Sequence, residues 1–325
     1  ISSGNFFHSY ISWYYYMKNN LSNIKKAIKY LNNNECIGIP TETVYGLAAN
    51  AYSDKATTKI FNLKKRPKKN PLIVHYYSLN DLKKDCVLDL NFFKLYRRFC
   101  PGPISFVLKL KSNSRISKNV TNKKKTIAVR FPSHKLTRSL LKFLKYPLAA
   151  PSANLSKQIS PVSKNDVIDE FGKKIKFTLD GGQSKIGVES TIVSLIGKPK
   201  ILRFGGIERN SIEKIFKKNK KLKRVKKNIV VPGQGKVHYS PGIPIRLNIK
   251  QPKKQEAYIL IKKRKSSTKN FYYLSKKSNL KEAAKNLYKT LRKIKKNKFK
   301  SIAVEKIPNK GFGETINDRL IRASK

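Results

Sequence analysis

Leu21, Ile24, Ala27, Ile28 and Leu31 recur at three- and four-residue spacing and predict a helix. Cys36-Ile-Gly-Ile39 is a short apolar run that predicts a strand, closed by Pro40 and followed by the small-residue run Ala48–Ala51. Asp54 opens a helix that runs to about Leu63, and Pro71–His75 reads as a short buried strand. An aromatic-rich helix over Asn91–Phe99 stops at Cys100-Pro-Gly-Pro103. Strands follow at Ile104–Leu110, Thr126–Phe131 and Pro147–Ala150, with a helix between the last two. A helix over Asp166–Phe171 and strands at Phe177–Leu179, Thr191–Leu195 and Lys200–Phe204 complete this region. The mixed order and short strands predict an α/β fold with a twisted mixed β-sheet and flanking helices, rather than a regular doubly wound one.

The pattern changes after Ile207. Lys214–Lys227 holds nine Lys or Arg in fourteen residues and no acid, and Val231–Pro244 is a linker dense in Pro and Gly. Strands at Ala257–Ile261 and Ser301–Val304, a helix over Leu280–Ile294 and a closing helix from about Glu314 predict a small Rossmann-like α/β C-terminal domain with a parallel sheet. The predicted boundaries are 17–210 for the first domain, 211–248 for the basic segment and linker, and 249–325 for the C-terminal domain. Residues 1–16 carry no Lys, Arg, Asp or Glu and are crowded with aromatics, whereas Met17 is the chain's one methionine. They are expected to be an upstream extension, not native.

Composition adds two constraints. The 325 residues include 73 Lys+Arg against 18 Asp+Glu, a net charge of +55, and such a balance points to a polyanionic partner. Lys far outnumbers Arg, however, and Asn, Ile, Tyr and Phe are abundant, as an AT-rich coding bias would also produce, so both readings stay open. Cys36, Cys86 and Cys100 form no C-x-x-C pair, which argues against a disulfide framework or zinc site and for a reducing, cytoplasmic location. No apolar run approaches the roughly 20 residues that span a bilayer, so no membrane partner is expected.

Candidate chemistry gathers in five places. Pro40-Thr-Glu-Thr-Val-Tyr-Gly-Leu47 sets hydroxyl residues and a glycine at a strand end. Lys64 and Arg66, two apart in a basic turn, can clamp a polyphosphate. Ser152 and Asn154 in Pro151-Ser-Ala-Asn154 can place a hydroxyl and an amide on one phosphate oxygen, or simply form a turn. Asp180-Gly-Gly…Glu189-Ser-Thr-Ile192 pairs glycines with a strand start, and Arg130 ends a strand where it can hold a carboxylate. No P-loop, G-x-G-x-x-G, H-E-x-x-H or G-x-S-x-G motif is present.

Taken together, PTETVYGL (40–47), K-x-R-P with NPLIVH (64–75), PGP (101–103), AVR-P (128–132), PSAN (151–154), DGG…ESTI (180–192) and LRFGGI (202–207) resemble the YrdC-like threonylcarbamoyl-AMP synthases. The linker with His238-Tyr239 and the terminal segment 311–320 resemble the long form with a C-terminal domain. The resemblance implies synthesis of threonylcarbamoyl-AMP and pyrophosphate from L-threonine, bicarbonate or CO2, and ATP, for threonylcarbamoyl-adenosine modification of tRNA. It implies catalytic positions at Lys64, Arg66, Ser152 and Asn154. It places L-threonine at Thr43, His75, Arg130, Ala150 and Ser190. It places ATP at Arg66, Asn70, Thr126, Ser152, Ser160, Arg203, His238 and Tyr239. ATP is expected as a substrate with Mg2+, without a protein-bound metal or prosthetic group, and tRNA and the downstream transferase complex are the implied partners. Lys65 and Lys69 depart from the glycines usual in the phosphate loop, and the linker lacks the usual Met and Arg pattern. Two other readings are a non-catalytic double-stranded RNA- or tRNA-binding protein on the same scaffold, and a hydrogenase-maturation carbamoyltransferase module, against which the lack of C-x-x-C pairs speaks.

Overall fold

The computed structural model describes residues 20–216, 238–265 and 268–325, so the expected extension 1–16, most of the basic segment and the first half of the linker lie outside the described residues. The chain begins with helix α1 (20–32), then strands β1 (Ile37–Ile39) and β2 (Gly46–Asn50) and helix α2 (Asp54–Lys64). Next come β3 (Ile73–His75), α3 (Leu79–Asp85), β4 (Cys86–Val87), α4 (Leu90–Phe99), β5 (Ile104–Leu110), α5 (Lys118–Thr121) and β6 (Thr126–Arg130). Helix α6 (Lys135–Phe143), β7 (Leu148–Ala149), α7 (Lys164–Phe171), β8 (Thr191–Ser194), β9 (Lys200–Arg203) and α8 (Arg209–Ile215) complete the first unit.

The helices start where short polar side chains cap free amides. Ser53, Ser78 and Asp89 cap α2, α3 and α4, and Ser163 with Asp166 forms a reciprocal capping box on α7. The strands assemble in the order β1-β2-β7-β3-β6-β5-β8-β9, with β4 beside β5. Parallel pairs β3–β6 and β5–β8 alternate with antiparallel ones, so this is the mixed sheet the pattern predicts. That mixture decides where polar side chains end up. His75 and Arg130 finish neighbouring parallel strands in direct register, Ser105 near the start of β5 faces Arg130, and Thr191 enters beside Ile104. One end of the sheet therefore collects strand ends from four distant parts of the chain.

The second unit contains β10 (Ile245–Arg246), β11 (Ala257–Leu260), β12 (Phe271–Tyr273), α9 (Leu280–Lys296), β13 (Ile302–Val304) and α10 (Phe312–Ala323). Its strands lie in the order β10-β13-β11-β12, all parallel, around Leu287, Tyr288, Leu291 and Ile316. The two units touch closely at Gly187. A Cβ there would stand 2.2 Å from the carbonyl oxygen of Lys285 on α9, and its φ of +74° excludes ordinary side chains.

Several elements differ from expectation. Ala48 and Ala49 belong to a buried strand, β2, although their small side chains carry little strand propensity and only the neighbours β1 and β7 fix them. Phe177–Leu179 reduces to a single bridge, Gly38 with Thr178, and β10 and β12 are too short to leave a period-two signal.

Helix α2 ends in a Schellman turn. Lys65 N–H donates to Asn62 O and Arg66 N–H to Phe61 O, with Lys65 left-handed at φ 48°, ψ 43°. This is the conformation in which glycine is preferred, and a lysine stands there under strain. Lys65→Gly is expected to raise stability by about 1 kcal/mol. The check is the urea midpoint at unchanged slope; an unmoved or lowered midpoint would mean that the left-handed position costs Lys65 nothing.

Candidate active site

The loop joining β1 to β2 is held from every side. Thr41 Oγ1 donates to Val44 O at 2.6 Å and accepts from the amides of Thr43 and Val44. The segment after Asp180 satisfies the rest. Ile186 and Gly187 amides donate to the carbonyls of Glu42 and Thr43, Ser184 Oγ donates to Thr41 O, and Tyr45 OH donates to Gly182 O at 2.8 Å. The octapeptide and the DGG…ESTI segment, some 140 residues apart, are thus one interlocked structure.

A second pair of motifs interlocks in the same way. Lys64 is buried, and its Nζ donates to the carbonyls of Ser152 (2.5 Å) and Asn154, tying the end of α2 to the loop after β7. Burial, reinforced by Arg66, holds this amine well below the usual lysine range. One of its three donors remains unassigned by these contacts. Asn154 Nδ2 donates to Leu155 O and Gln158 O.

Between these loops lies a cavity of about 40 Å3, lined by Thr43, Arg66, His75, Arg130, Ala150 and Ser152. Ser190, Arg203, His238, Tyr239 and Glu189 also line it. Ten of the anticipated positions therefore meet here. Lys64, Asn154 and Asn70 belong to the supporting loops, and Ser160 lies behind Glu189, donating to its Oε1 at 2.6 Å. Thr126 is not brought to the cavity. It stands opposite Lys109 at the other end of β6 from Arg130, about 13 Å away by strand rise.

Three guanidiniums face this cavity in different electrostatic states. Arg130 is paired: Nη2 donates to Glu42 Oε1 at 2.6 Å, Nη1 to Thr43 Oγ1 at 2.9 Å and Nε to Gly102 O at 3.4 Å. Ser133 N–H donates to the other Glu42 oxygen. Arg203 donates to Ser190 O (3.0 and 3.1 Å) and to Ser190 Oγ (3.1 Å). Arg66 donates to Asn70 O and Pro71 O, and among the described residues no carboxylate pairs with it. Burial, then the charge of Arg203, lowers its pKa to about 10.

Two acids that the sequence reading left without a site role, Glu42 and Glu189, set this electrostatics. The signal available was scarcity, because only 18 acids serve the whole chain and three of them, Glu42, Asp180 and Glu189, lie in the segments 40–47 and 180–192. Burial pushes the Glu189 carboxyl up, but Arg319, Arg203 and Ser160 outweigh it and hold it at about 2. His75 is kept neutral, its pKa held well below the usual range by burial and by Arg130. His238 is driven to about 3, mainly by burial.

Asn70 Oδ1, His75 Nδ1, Asn154 Oδ1, His238 Nδ1 and Tyr239 OH are buried without a hydrogen-bond partner among the described residues. Such orphaned atoms are rare in folded proteins, and their gathering around one cationic cavity marks it as a ligand site. Among the described residues no cluster of three His, Cys, Asp or Glu could hold a metal ion, and no helix is long and apolar enough to cross a membrane.

Residues 29–205 match the family model described as "Telomere recombination", and residues 207–325 match that of the threonylcarbamoyl-AMP synthase C-terminal domain. The threonylcarbamoyl-AMP synthase of Bacillus subtilis is 33% identical, over 93% of this chain and 92% of its own length. That of Schizosaccharomyces pombe is 31% identical over 93% and 88%. The crystal structure of P. abyssi Sua5 complexed with L-threonine superposes with a TM-score of 0.84 at 31% identity, covering 93% of this chain and 94% of that one. With both of its units matched in order, the chain belongs to the threonylcarbamoyl-AMP synthase family, in its two-domain form.

Proposed function

We propose that this cavity joins L-threonine, CO2 or bicarbonate, and ATP into threonylcarbamoyl-AMP, with release of pyrophosphate. The observation that carries the reading is Arg66: a buried guanidinium with no carboxylate partner among the described residues, facing the same cavity as Arg130 and Arg203. An unneutralised buried cation is costly unless an anion completes it, and a polyphosphate does so.

The two ends of the cavity suit the two substrates. At one end Arg130, already neutralised by Glu42, has two of its five N–H donors left over for a carboxylate, beside the hydroxyls of Thr43 and Ser190, Ala150 and the neutral ring of His75. L-Threonine fits that mixture of modest charge and hydroxyl partners, in keeping with the threonine-complexed relative. At the other end Arg66, Arg203 and Ser152, with the remaining donor of Lys64, face the triphosphate.

The threonine amine captures CO2 as a carbamate and loses a proton. A carbamate oxygen then attacks the α-phosphorus, the α–β bridging bond breaks and pyrophosphate leaves. No side-chain nucleophile takes part. These residues orient the reactants and offset charge on the phosphates. Glu189 is committed to Ser160, Tyr288 and Arg319, so Mg2+ would enter as part of the ATP substrate and would offset charge on its phosphates. A nucleotide pocket takes about 300–1,000 Å3, far more than this cavity holds, so His238 and Tyr239 lift to admit ATP and close again over it. The product then serves tRNA modification through the downstream transferase. An RNA-binding protein without catalysis would rest on net charge alone and leaves the buried arginines without a purpose.

Purified protein is expected to release pyrophosphate from ATP only with threonine and bicarbonate; release that is equal with serine, or without any amino acid, would remove the reading. Arg66→Ala is expected to lower turnover by about 100-fold with the fold intact by circular dichroism, in line with the loss of one charge-stabilising donor. Wild-type rates in that variant would end the phosphate role.

His238 adds a pH signature. The unfolded imidazole binds its proton near 6.5 and the seated one only near 3, so its seating is fully favourable above pH 6.5 and weakens as pH falls towards 3. The stability of the wild type relative to His238→Gln is therefore expected to drop by up to about 2 kcal/mol between pH 7.5 and pH 5. Parallel unfolding curves for the two proteins across that range would contradict the buried, neutral state.

A further inference from the structure

Arg319, near the end of α10, is fully buried, and its guanidinium reaches across to the first unit. Nε donates to Glu189 Oε2 at 2.9 Å and Nη2 to Phe204 O at 2.7 Å, while Nη1 donates to Asp318 Oδ2 at 2.6 Å within α10. Its cationic face lies 4.8 Å from the ring centroid of Tyr239. Arg319 does not line the cavity, but two residues it holds do: Glu189 and Tyr239.

What these two residues hold in turn matters for ATP. Glu189 accepts from Ser160 and from Tyr288 OH on α9, and it immediately precedes Ser190, whose carbonyl and hydroxyl fix Arg203. Tyr239 stacks on Tyr288 with centroids 5.7 Å apart, and the amide of His238 donates to Arg322 O. Helices α9 and α10 thus build both the seat of the His238–Tyr239 pair and the backing of Arg203. At the threonine end, Arg130 is held by Glu42 within the first unit, and of the threonine-end residues only Ser190, which follows Glu189, adjoins this network.

We infer that Arg319 is a positioning residue for the nucleotide half of the site, acting from the C-terminal domain through Glu189 and Tyr239. This rests on the proposed synthase reading and deepens it, because it makes the second unit part of the ATP site and leaves threonine binding to the first. A merely structural ion pair between units would instead lower stability and leave the balance between the two substrates unchanged.

The test is calorimetric titration of ATP and of L-threonine into the full chain, with threonine-dependent pyrophosphate release measured alongside. Arg319→Met is expected to weaken ATP binding at least tenfold and to raise the KM for ATP, with threonine affinity within threefold of wild type. Arg319→Lys keeps the charge but loses the planar fork, and is expected to fall between the two; it serves as the test if the methionine variant does not fold. Because Glu189 is one of the two residues through which Arg319 acts, adding Arg319→Met to Glu189→Gln is expected to cost ATP binding clearly less than the sum of the two single changes. Equal losses for ATP and threonine, unchanged ATP affinity in a folded variant, or additive losses in the double variant would each overturn the inference. Tighter ATP binding would overturn it too, since Arg319 would then only hold the linker shut. A wild type that binds ATP but releases no threonine-dependent pyrophosphate would sink the synthase reading, and the ATP titrations would still decide Arg319. A wild type that binds no ATP would sink both.

Discussion

Taking an arginine out of water is tolerable only where another charge or a full set of acceptors replaces the solvent, and this chain buries four around one site: Arg66, Arg130, Arg203 and Arg319. Glu42 answers Arg130. Glu189 answers Arg319 directly and Arg203 through space. Among the described residues, Arg66 has only the carbonyls of Asn70 and Pro71. Compensation is therefore uneven across a short distance, close to neutral where Arg130 stands and positive where Arg66 stands. An amino acid carries a single carboxylate and ATP carries a triphosphate, and the proposed placement of the two substrates rests on that gradient. Much of the rest of the structure can be understood as the means of keeping these pairings fixed.

The fixing is done by backbone as much as by side chains. Each motif's polar groups are consumed by another motif's main chain: the carbonyls of Thr41, Glu42 and Thr43 by Ser184, Ile186 and Gly187, and those of Ser152 and Asn154 by Lys64. A change in one loop is therefore felt in another. Lys64 illustrates the point. A free lysine in a basic turn would be a mobile point charge, whereas this one is a brace between two loops.

Much of this was legible in the sequence where a local rule applied. The helix over 20–32, the strands ending at His75 and Arg130, and the mixed character of the sheet follow from periodicity and breaker residues. The anomaly at Lys65 was visible as a lysine where glycine is usual, but its meaning, a left-handed Schellman position, needed the helix end itself. Strand β2 was not legible, because alanines become a strand only when neighbours on both sides supply the ladder. Thr126 and Arg130 look equivalent as polar positions on one strand, yet opposite ends of a strand face different environments. Glu189 sat inside a quoted motif, but its partners Tyr288 and Arg319 lie 99 and 130 residues away, beyond any spacing rule.

The charge of the chain acquires a different meaning once the site is in view. Fourteen of its 73 basic residues are Arg, so a basic position picked at random is overwhelmingly a lysine. Yet among the described residues every cation that lines the cavity, Arg66, Arg130 and Arg203, is an arginine, as is Arg319 behind it. Outside the site, Arg246 grips both oxygens of Glu256 in the same forked manner. A coding bias spreads lysine over positions where any solvated cation serves, such as Lys65 and Lys69. It does not account for arginine where a planar group must hold two or three acceptors at once, which a point-charge ammonium cannot do with the same geometry. The excess of lysine is therefore weak grounds for a polyanionic partner, and the placement of the few arginines is the stronger chemical signal, because it follows the geometry that anion recognition requires.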